Sequence, residues 1–132
     1  MSVGLVLVSH SARLGAGLRE LVEQVAQGRV AIAVASGAED GTLGTSAPAI
    51  ASAVESLSAC DGVVVLMDLG SAVLSAETAL DGLEASLRER VVLVDAPFVE
   101  GAVAAAVEAS MGSDLAAVAA VAEAARAQCK LA

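Results

Sequence analysis

The sequence predicts an α/β fold: an open, mainly parallel sheet in the order 2-1-3-4 with helices on both faces. Four short apolar runs alternate with segments of helical hydrophobic spacing, which is the pattern of successive βαβ units. The runs show no polar alternation, as is typical of parallel strands buried on both faces. The strand order is that of the flavodoxin-like class. The chain contains no repeat or linker, so residues 1–132 are expected to form one domain.

Each element follows from its local pattern. Gly28 ends the first helix, Pro48 suits the start of the second, and Gly112-Ser113-Asp114 divides the Ala-rich C-terminal region into two helices. The predicted elements are, in chain order, a strand at Val3–Val8, a helix with apolar residues from Leu14 to Val25, a strand at Val30–Val34, a helix beginning near Ser46, a strand at Val63–Met67, one helix from Val73 to Leu87, a strand at Val91–Val94, and two helices within Val99–Lys130.

Composition and charge narrow the classes of function. The chain is 57% hydrophobic and contains a single aromatic residue, Phe98, so the core must be built from small aliphatic side chains. Sixteen acids against seven bases give a net charge of −9, which argues against binding to nucleic acid and favours a basic protein partner. The same acids can also serve only to keep an apolar domain soluble.

Location is predicted from what the sequence lacks. No basic leader precedes the first apolar run, and no stretch of about 18 uninterrupted apolar residues is present, so neither a signal peptide nor a membrane span is expected. Cys60 and Cys129 lie far apart without metal-site spacing and are expected to be reduced thiols. The sequence therefore predicts a cytoplasmic protein with no metal site.

Polar residues follow two of the predicted strands at the points where the strands end. Ser9-His10-Ser11 follows the first strand, and Asp68-Leu69-Gly70-Ser71 follows the third. Ligands of open α/β sheets bind outside the carboxyl ends of the strands, near the point where the strand order reverses. The first and third strands are neighbours in the order 2-1-3-4, so His10 and Asp68 are predicted to meet at that edge.

The predicted pair has a specific chemistry. A carboxylate bonded to one ring N–H of histidine fixes the tautomer and leaves the other nitrogen free to attack. Attack by His10 on phosphorus would give a phosphohistidine, whose charge needs backbone amides and hydroxyls as donors. The candidates for that stabilisation are Ser11, Thr45, Gly70 and Ser71.

The residues alone also allow a purely structural interpretation. A lone histidine after a strand can be an ordinary hydrogen-bonded loop residue, and Asp68 can simply cap the next helix. The Gly- and Thr-rich loop from Ser36 to Thr45 can be a plain connection. Gly15 and Gly17 lack the third glycine of a dinucleotide fingerprint, and there is no P-loop, so nucleotide binding by this chain is not predicted.

Four sequence segments match the motifs of a known family. They are Leu7–Gly15, Gly44-Thr45-Ser46, Met67–Ala72 together with Leu74–Thr78, and Ala96–Gly101. In this order, and over essentially the whole chain, they resemble the phosphohistidine subunit of bacterial phosphotransferase-dependent dihydroxyacetone kinases. The first and third segments are specific, whereas Gly-Thr-Ser is weak by itself.

The resemblance implies the fold of the mannose-class IIA domains of the sugar phosphotransferase system. It implies that His10 takes a phosphoryl group from phospho-HPr and passes it to ADP held on a separate nucleotide-binding kinase subunit. The ATP so formed would phosphorylate dihydroxyacetone on a third subunit. Asp68 would be the acid beside the histidine, the chain itself would bind no cofactor, and a homodimer is expected. Leu69, Leu43 or Phe98 would lie on a flat apolar docking surface.

Two alternative functions stay open. One is a mannose-class IIA domain for sugar transport, although such domains usually have glycine after the histidine, where this chain has Ser11. The other is a non-catalytic regulatory module of the same fold.

Overall fold

A computed structural model describes residues 2–131, in which four strands alternate with helices. The strands and helices are β1 (Val3–Ser9), α1 (Ala12–Ala26), β2 (Ile32–Ser36), α2 (Ala47–Ser56), β3 (Gly62–Met67), α3 (Ser71–Asp81), α4 (Ala85–Arg88), β4 (Val91–Leu93), α5 (Phe98–Ser110) and α6 (Leu115–Ala124), followed by a 3₁₀ turn at Ala125–Ala127. The class and order of the strands agree with the prediction.

The sheet is entirely parallel, and its strand order is β2-β1-β3-β4, which confirms the predicted order 2-1-3-4. The two central strands pair from Val3 with Gly62 to Val8 with Met67. Their carboxyl ends therefore finish side by side, and the residues that follow them emerge at the same edge of the sheet.

Alternate residues of the central strands enter two separate cores. On one face, Leu5 and Leu7 of β1 pack with buried residues of α1, α5 and α6, such as Leu18 and Val118. On the other face, Val6 and Val8 pack with α2 and α3. All seven residues of β1 are buried, so the strand is fixed from both sides and holds whatever follows it in a defined position.

Several element bounds differ from the sequence prediction. The second strand is Ile32–Ser36, two residues later than predicted, because pairing with Leu5–Ser9 of β1 sets its register. The helix predicted from Val73 to Leu87 is two helices: α3 ends at Asp81, and Gly82 forms its C-cap before the short α4. The fourth strand ends at Leu93, although the Val94 N–H still donates to Val65 at 3.1 Å.

The two C-terminal helices agree with the prediction, including the break. Helix α5 ends at Ser110, Gly112 has a positive φ of 79°, and the Asp114 side chain caps α6 by accepting from the Ala117 N–H. Within residues 2–131, no helix combines the length and apolar character that crossing a bilayer requires.

Candidate active site

His10 and Asp68 meet at the carboxyl edge of the two central strands. His10 follows the last residue of β1, and Asp68 follows the last residue of β3, where its N–H donates to the Val8 carbonyl at 3.1 Å. The His10 Nδ1 and the Asp68 Oδ1 lie 2.8 Å apart. The contact predicted from the strand order is therefore present. The His10 side chain remains 25% exposed, whereas the Asp68 side chain is 8% exposed.

The Asp68 carboxylate accepts four hydrogen bonds. Its Oδ1 accepts from the His10 ring at 2.8 Å and from the Leu69 N–H at 2.8 Å. Its Oδ2 accepts from the His10 N–H at 2.9 Å and from the Ser9 hydroxyl at 3.0 Å. Burial acts to raise the pKa of Asp68, but the hydrogen bonds from His10 and Ser9 outweigh it and hold the pKa below its ordinary value. The group is therefore a carboxylate at neutral pH.

An ionised Asp68 decides the tautomer of His10. A carboxylate can only accept, so the 2.8 Å contact requires a proton on Nδ1. The other ring nitrogen, Nε2, then carries the lone pair. The Ser71 hydroxyl lies 2.8 Å from Nε2 and, in this tautomer, donates to it. Ser71 is itself exposed at the start of α3, so the lone pair of Nε2 faces the open edge of the sheet.

Ser9 is part of this site and was assigned no role from the sequence. It is fully buried, and its hydroxyl donates to Asp68 while accepting from the Ser11 N–H at 3.1 Å. The available signal was a hydroxyl at the end of a wholly apolar strand, because a buried hydroxyl needs a partner. Ser9 ties the chain on either side of His10 to the carboxylate.

The loop between β2 and α2 holds the backbone of His10. The Gly44 N–H donates to the His10 carbonyl at 2.8 Å, and the Gly37 N–H donates to the Ser9 carbonyl at 2.9 Å. Gly44 has a φ of 150° and Gly37 a φ of 80°, conformations that a residue with a Cβ adopts only with strain. The loop therefore contributes two contacts that fix the position of the histidine.

The remaining candidate residues divide into two groups. Gly70 is the N-cap of α3, is exposed, and has open space where a Cβ would stand. The amides of Gly70 and Ser71 make no hydrogen bond with other residues of the described part of the chain. By contrast, the Ser11 hydroxyl caps α1 by accepting from the Leu14 N–H, and the Thr45 hydroxyl lies 2.7 Å from that of Ser75.

The surface near His10 carries several exposed leucines. Leu43 is 80% exposed and Leu69 is 59% exposed, as expected for residues of an apolar docking surface. The expectation for Phe98 was wrong: it is 9% exposed and packs in the core beside α5 residues, because it begins that helix on its inward side. Leu14 in α1 and Leu74 in α3 are also exposed and were not predicted as contacts.

Together the fold and the site define a parallel α/β domain with one carboxylate-oriented histidine at its carboxyl edge. The sequence model described as the PTS system fructose IIA component matches residues 4–119. The chain belongs to this family.

Curated relatives carry a more specific description. The chain is 47% identical over 116 residues to the "PEP-dependent dihydroxyacetone kinase, phosphoryl donor subunit DhaM" of Escherichia coli strain K12, covering 86% of this chain and 25% of that protein. It is 42% identical over 106 residues to a Listeria innocua protein of the corresponding name, covering 80% of this chain and 85% of the relative. The resemblance stated from the sequence is confirmed. The chain spans about a quarter of the length of several curated relatives, including the Escherichia coli protein.

A solved structure has the same fold. The crystal structure of a protein of unknown function, EF1359, superposes with a TM-score of 0.86 at 38% sequence identity. The superposition covers 94% of this chain and 95% of that one. The mannose-class IIA fold predicted from the sequence is therefore confirmed.

Proposed function

We propose that this chain is a phosphoryl carrier of a dihydroxyacetone kinase system. His10 accepts a phosphoryl group from phospho-HPr and passes it to ADP bound on the nucleotide-binding kinase subunit, in the cytoplasm. The chain binds no metal or nucleotide itself in this scheme. The names of the relatives support it, because they describe phosphoryl donor subunits of such kinases.

The observation that carries the proposal is the 2.8 Å contact between His10 Nδ1 and Asp68 Oδ1, from which the tautomer of His10 follows. Asp68 holds the proton on Nδ1, which leaves the lone pair on Nε2 at the exposed edge of the sheet. A neutral imidazole with a directed lone pair is an effective nucleophile near pH 7. The ring also keeps a quarter of its surface exposed, so an incoming phosphorus has access to it.

Each step of the proposed phosphoryl transfer forms one bond to phosphorus and breaks another, without oxidation or reduction. The Nε2 lone pair attacks phosphorus, so the Nε2–P bond forms as the N–P bond of the donor phosphohistidine breaks and its electron pair returns to the donor ring. In the second step an oxygen of the ADP β-phosphate attacks the same phosphorus, and the Nε2–P electron pair returns to His10. Asp68 keeps the Nδ1 proton throughout and stabilises the positive charge that the ring bears while phosphorylated.

The charge of the phosphoryl group would be met by donors at the start of α3. The Ser71 hydroxyl already faces Nε2, and the unengaged amides of Gly70 and Ser71 lie at a helix N-terminus. Ser11 and Thr45 would contribute less, because their hydroxyls are engaged by the Leu14 N–H and by Ser75. Three donors on one side suit a group that must be held briefly and released.

Docking of both protein partners would use the leucines beside the site. Leu43 and Leu69 are more than half exposed, and a cavity of about 370 Å³ adjoins Leu69 between the β3–α3 turn and Asp95. Transient encounters use small, largely pre-formed apolar surfaces of this kind. The acidic net charge of −9 favours basic partners. The homodimer implied by the resemblance stays a prediction, which light scattering tests.

The decisive experiment is phosphoryl labelling with purified proteins. Incubation of the chain with labelled phosphoenolpyruvate, enzyme I and HPr should give one acid-labile phosphate per chain on wild type and none on His10→Ala. Asp61→Asn, a carboxyl change at the opposite edge of the sheet, serves as the matched control and should label fully. Labelling of His10→Ala would refute the nucleophile.

A second step separates the carrier from its alternatives. The labelled chain is mixed with the nucleotide-binding kinase subunit loaded with ADP, and labelled ATP is measured. Formation of ATP supports the proposal. Transfer instead to a IIB protein of a sugar permease would favour the transport alternative, and a chain that never labels would be a regulatory module.

A further inference from the structure

The basic residues of the chain differ in how they are engaged. Four of the seven form ion pairs with acids, and Arg90 donates to the backbone carbonyls of Ser58 and Cys60. The side chains of Arg13 and Arg29 make no hydrogen bond or ion pair with any residue that the structure describes. Arg29 follows α1 at the far edge of the sheet, whereas Arg13 lies in the first turn of α1, three residues after His10. Arg13 is thus the unengaged cation at the edge that carries the histidine.

The position of Arg13 is electrostatically unfavourable for the helix. The N-terminus of a helix bears partial positive charge, so it favours acids and disfavours cations. The first turn of α1 contains no acid to offset Arg13. Departures from such local rules are expected at functional sites, where another interaction compensates them.

The neighbouring acids do not compensate for it. The β2–α2 loop packs on the start of α1, where a Cβ at Gly37 would lie 3.5 Å from Ala12. Its two acids are engaged elsewhere: Asp40 accepts from Thr42, and Glu39 accepts from Ser46. The side chain of Arg13 is exposed, so its guanidinium is free to meet an anion that arrives from solution.

We infer that Arg13 binds the phosphoryl group during its transfer through His10. The inference deepens the proposed function and rests on it. A phosphoryl group on Nε2 would add negative charge beside the ionised Asp68, and the donors at α3 are all neutral. The guanidinium supplies the missing positive charge, and its forked donors match two phosphoryl oxygens. Because α1 and α3 pack on opposite faces of the sheet, Arg13 and Ser71 would hold the group from two sides.

The test compares charge variants with two phosphoryl donors. Labelling rates are measured by rapid quench with phospho-HPr and with phosphoramidate, a small donor that has no docking surface. Arg13→Gln should slow labelling by both donors by roughly tenfold or more, as expected for losing a charge-assisted hydrogen bond. Arg13→Lys keeps the charge but loses the forked donors, so it should slow labelling, although by less than Arg13→Gln does. Arg29→Gln removes the other unengaged arginine and should label at the wild-type rate.

Salt dependence separates binding of the group from a structural effect. The wild-type rate with phosphoramidate should fall as ionic strength rises, because salt screens an exposed charge, and the Arg13→Gln rate should be nearly independent of salt. Equal rates for wild type and Arg13→Gln would overturn the inference while leaving His10 labelling intact. Slowing with phospho-HPr alone would also overturn it, because Arg13 would then act only in docking. Failure of wild type to label would instead refute the proposed function.

Discussion

Replacing Asp68 by asparagine tests the tautomer on which the site depends. Asparagine keeps the shape of the side chain but presents one acceptor and one donor where the carboxylate presents two acceptors. The four groups that donate to Asp68 are the His10 ring, the His10 N–H, the Ser9 hydroxyl and the Leu69 N–H. Only two of them can keep an acceptor. If the amide nitrogen faces His10 Nδ1, the ring proton moves to Nε2 and the nucleophilic lone pair is lost from the open edge.

The size of the effect follows from these contacts. Hydrogen bonds to a charged group contribute about 1.5–3 kcal/mol each, and Asp68→Asn loses two of them. The changed tautomer of His10 can form a new hydrogen bond with the amide, which offsets part of one loss. We therefore expect Asp68→Asn to lower the unfolding free energy by about 2–4 kcal/mol near pH 7. The same loss of tautomer control should slow phosphorylation of His10 by roughly a hundred- to ten-thousandfold.

The stability difference should depend on pH with a definite sign. The folded-state pKa of Asp68 lies below its ordinary value, so its stabilisation is complete above the unfolded pKa of about 3.9 and is lost as the pH falls through the folded value. Urea unfolding of wild type and Asp68→Asn at pH 7 and below pH 4 measures this difference. A difference that stays constant down to low pH, or full labelling activity in Asp68→Asn, would refute the reasoning.

Three further predictions concern the support and the surroundings of the site. Ser9→Ala should lower the unfolding free energy by about 1–3 kcal/mol, because it leaves the Ser11 N–H without its acceptor and Asp68 without one of its four donors; an unchanged denaturation midpoint would contradict this. Gly15→Ala should lower the unfolding free energy by about 1–3 kcal/mol, since its Cβ would lie 2.6 Å from Ser36. Gly17→Ala has no atom within 4 Å of the added Cβ and should raise the unfolding free energy by up to about 1 kcal/mol. Equal denaturation midpoints for the two variants would show that α1 shifts to accommodate the methyl group. Leu43→Asp should leave stability unchanged and slow labelling by phospho-HPr at least about fivefold but not labelling by phosphoramidate; equal slowing with both donors would exclude a docking role.

The fold was predictable because its two signals are strong and independent. Continuous apolar runs such as Val63–Met67 are distinguished from amphipathic helices by their hydrophobic periodicity. Parallel strands joined by right-handed crossovers allow only a few sheet topologies. The errors in the predicted element bounds arose where tertiary contacts determine the ends of a strand or helix. Residues 30–35 alternate β-branched residues with alanine, so a shift of two positions keeps much of the pattern and only pairing with β1 fixes the bounds of the strand. The apolar stripe from Val73 to Leu87 continues across Gly82, which hides the break between α3 and α4.

The candidate site was predictable in its centre but less so in its periphery. His10 and Asp68 follow two central strands, so strand order alone predicts that they meet. Whether a hydroxyl faces the ring or a backbone amide depends on side-chain rotation, which sequence does not specify. Ser71 and Thr45 are both hydroxyl residues that follow strand ends in the sequence. The Ser71 hydroxyl lies 2.8 Å from His10 Nε2, whereas the Thr45 hydroxyl pairs with Ser75. Phe98 similarly follows a strand end, but the direction of α5 turns it into the core.

The contacts on the two sides of the His10 ring differ in number, and this difference fits the proposed role in carrying a phosphoryl group. The Asp68 side of the ring is rigid: a largely buried carboxylate with four donors fixes Nδ1 and cannot follow the transferred group. The Nε2 side is open and offers the Ser71 hydroxyl, the unengaged amides of Gly70 and Ser71 and, by our inference, the exposed side chain of Arg13. A closed cradle of fixed charges would stabilise the phosphorylated state more than the transition states on either side of it, and so would slow release. In the proposed scheme, a nucleophile fixed by Asp68 and a phosphoryl group held by few contacts would allow the same nitrogen to accept the group from one protein and to donate it to another.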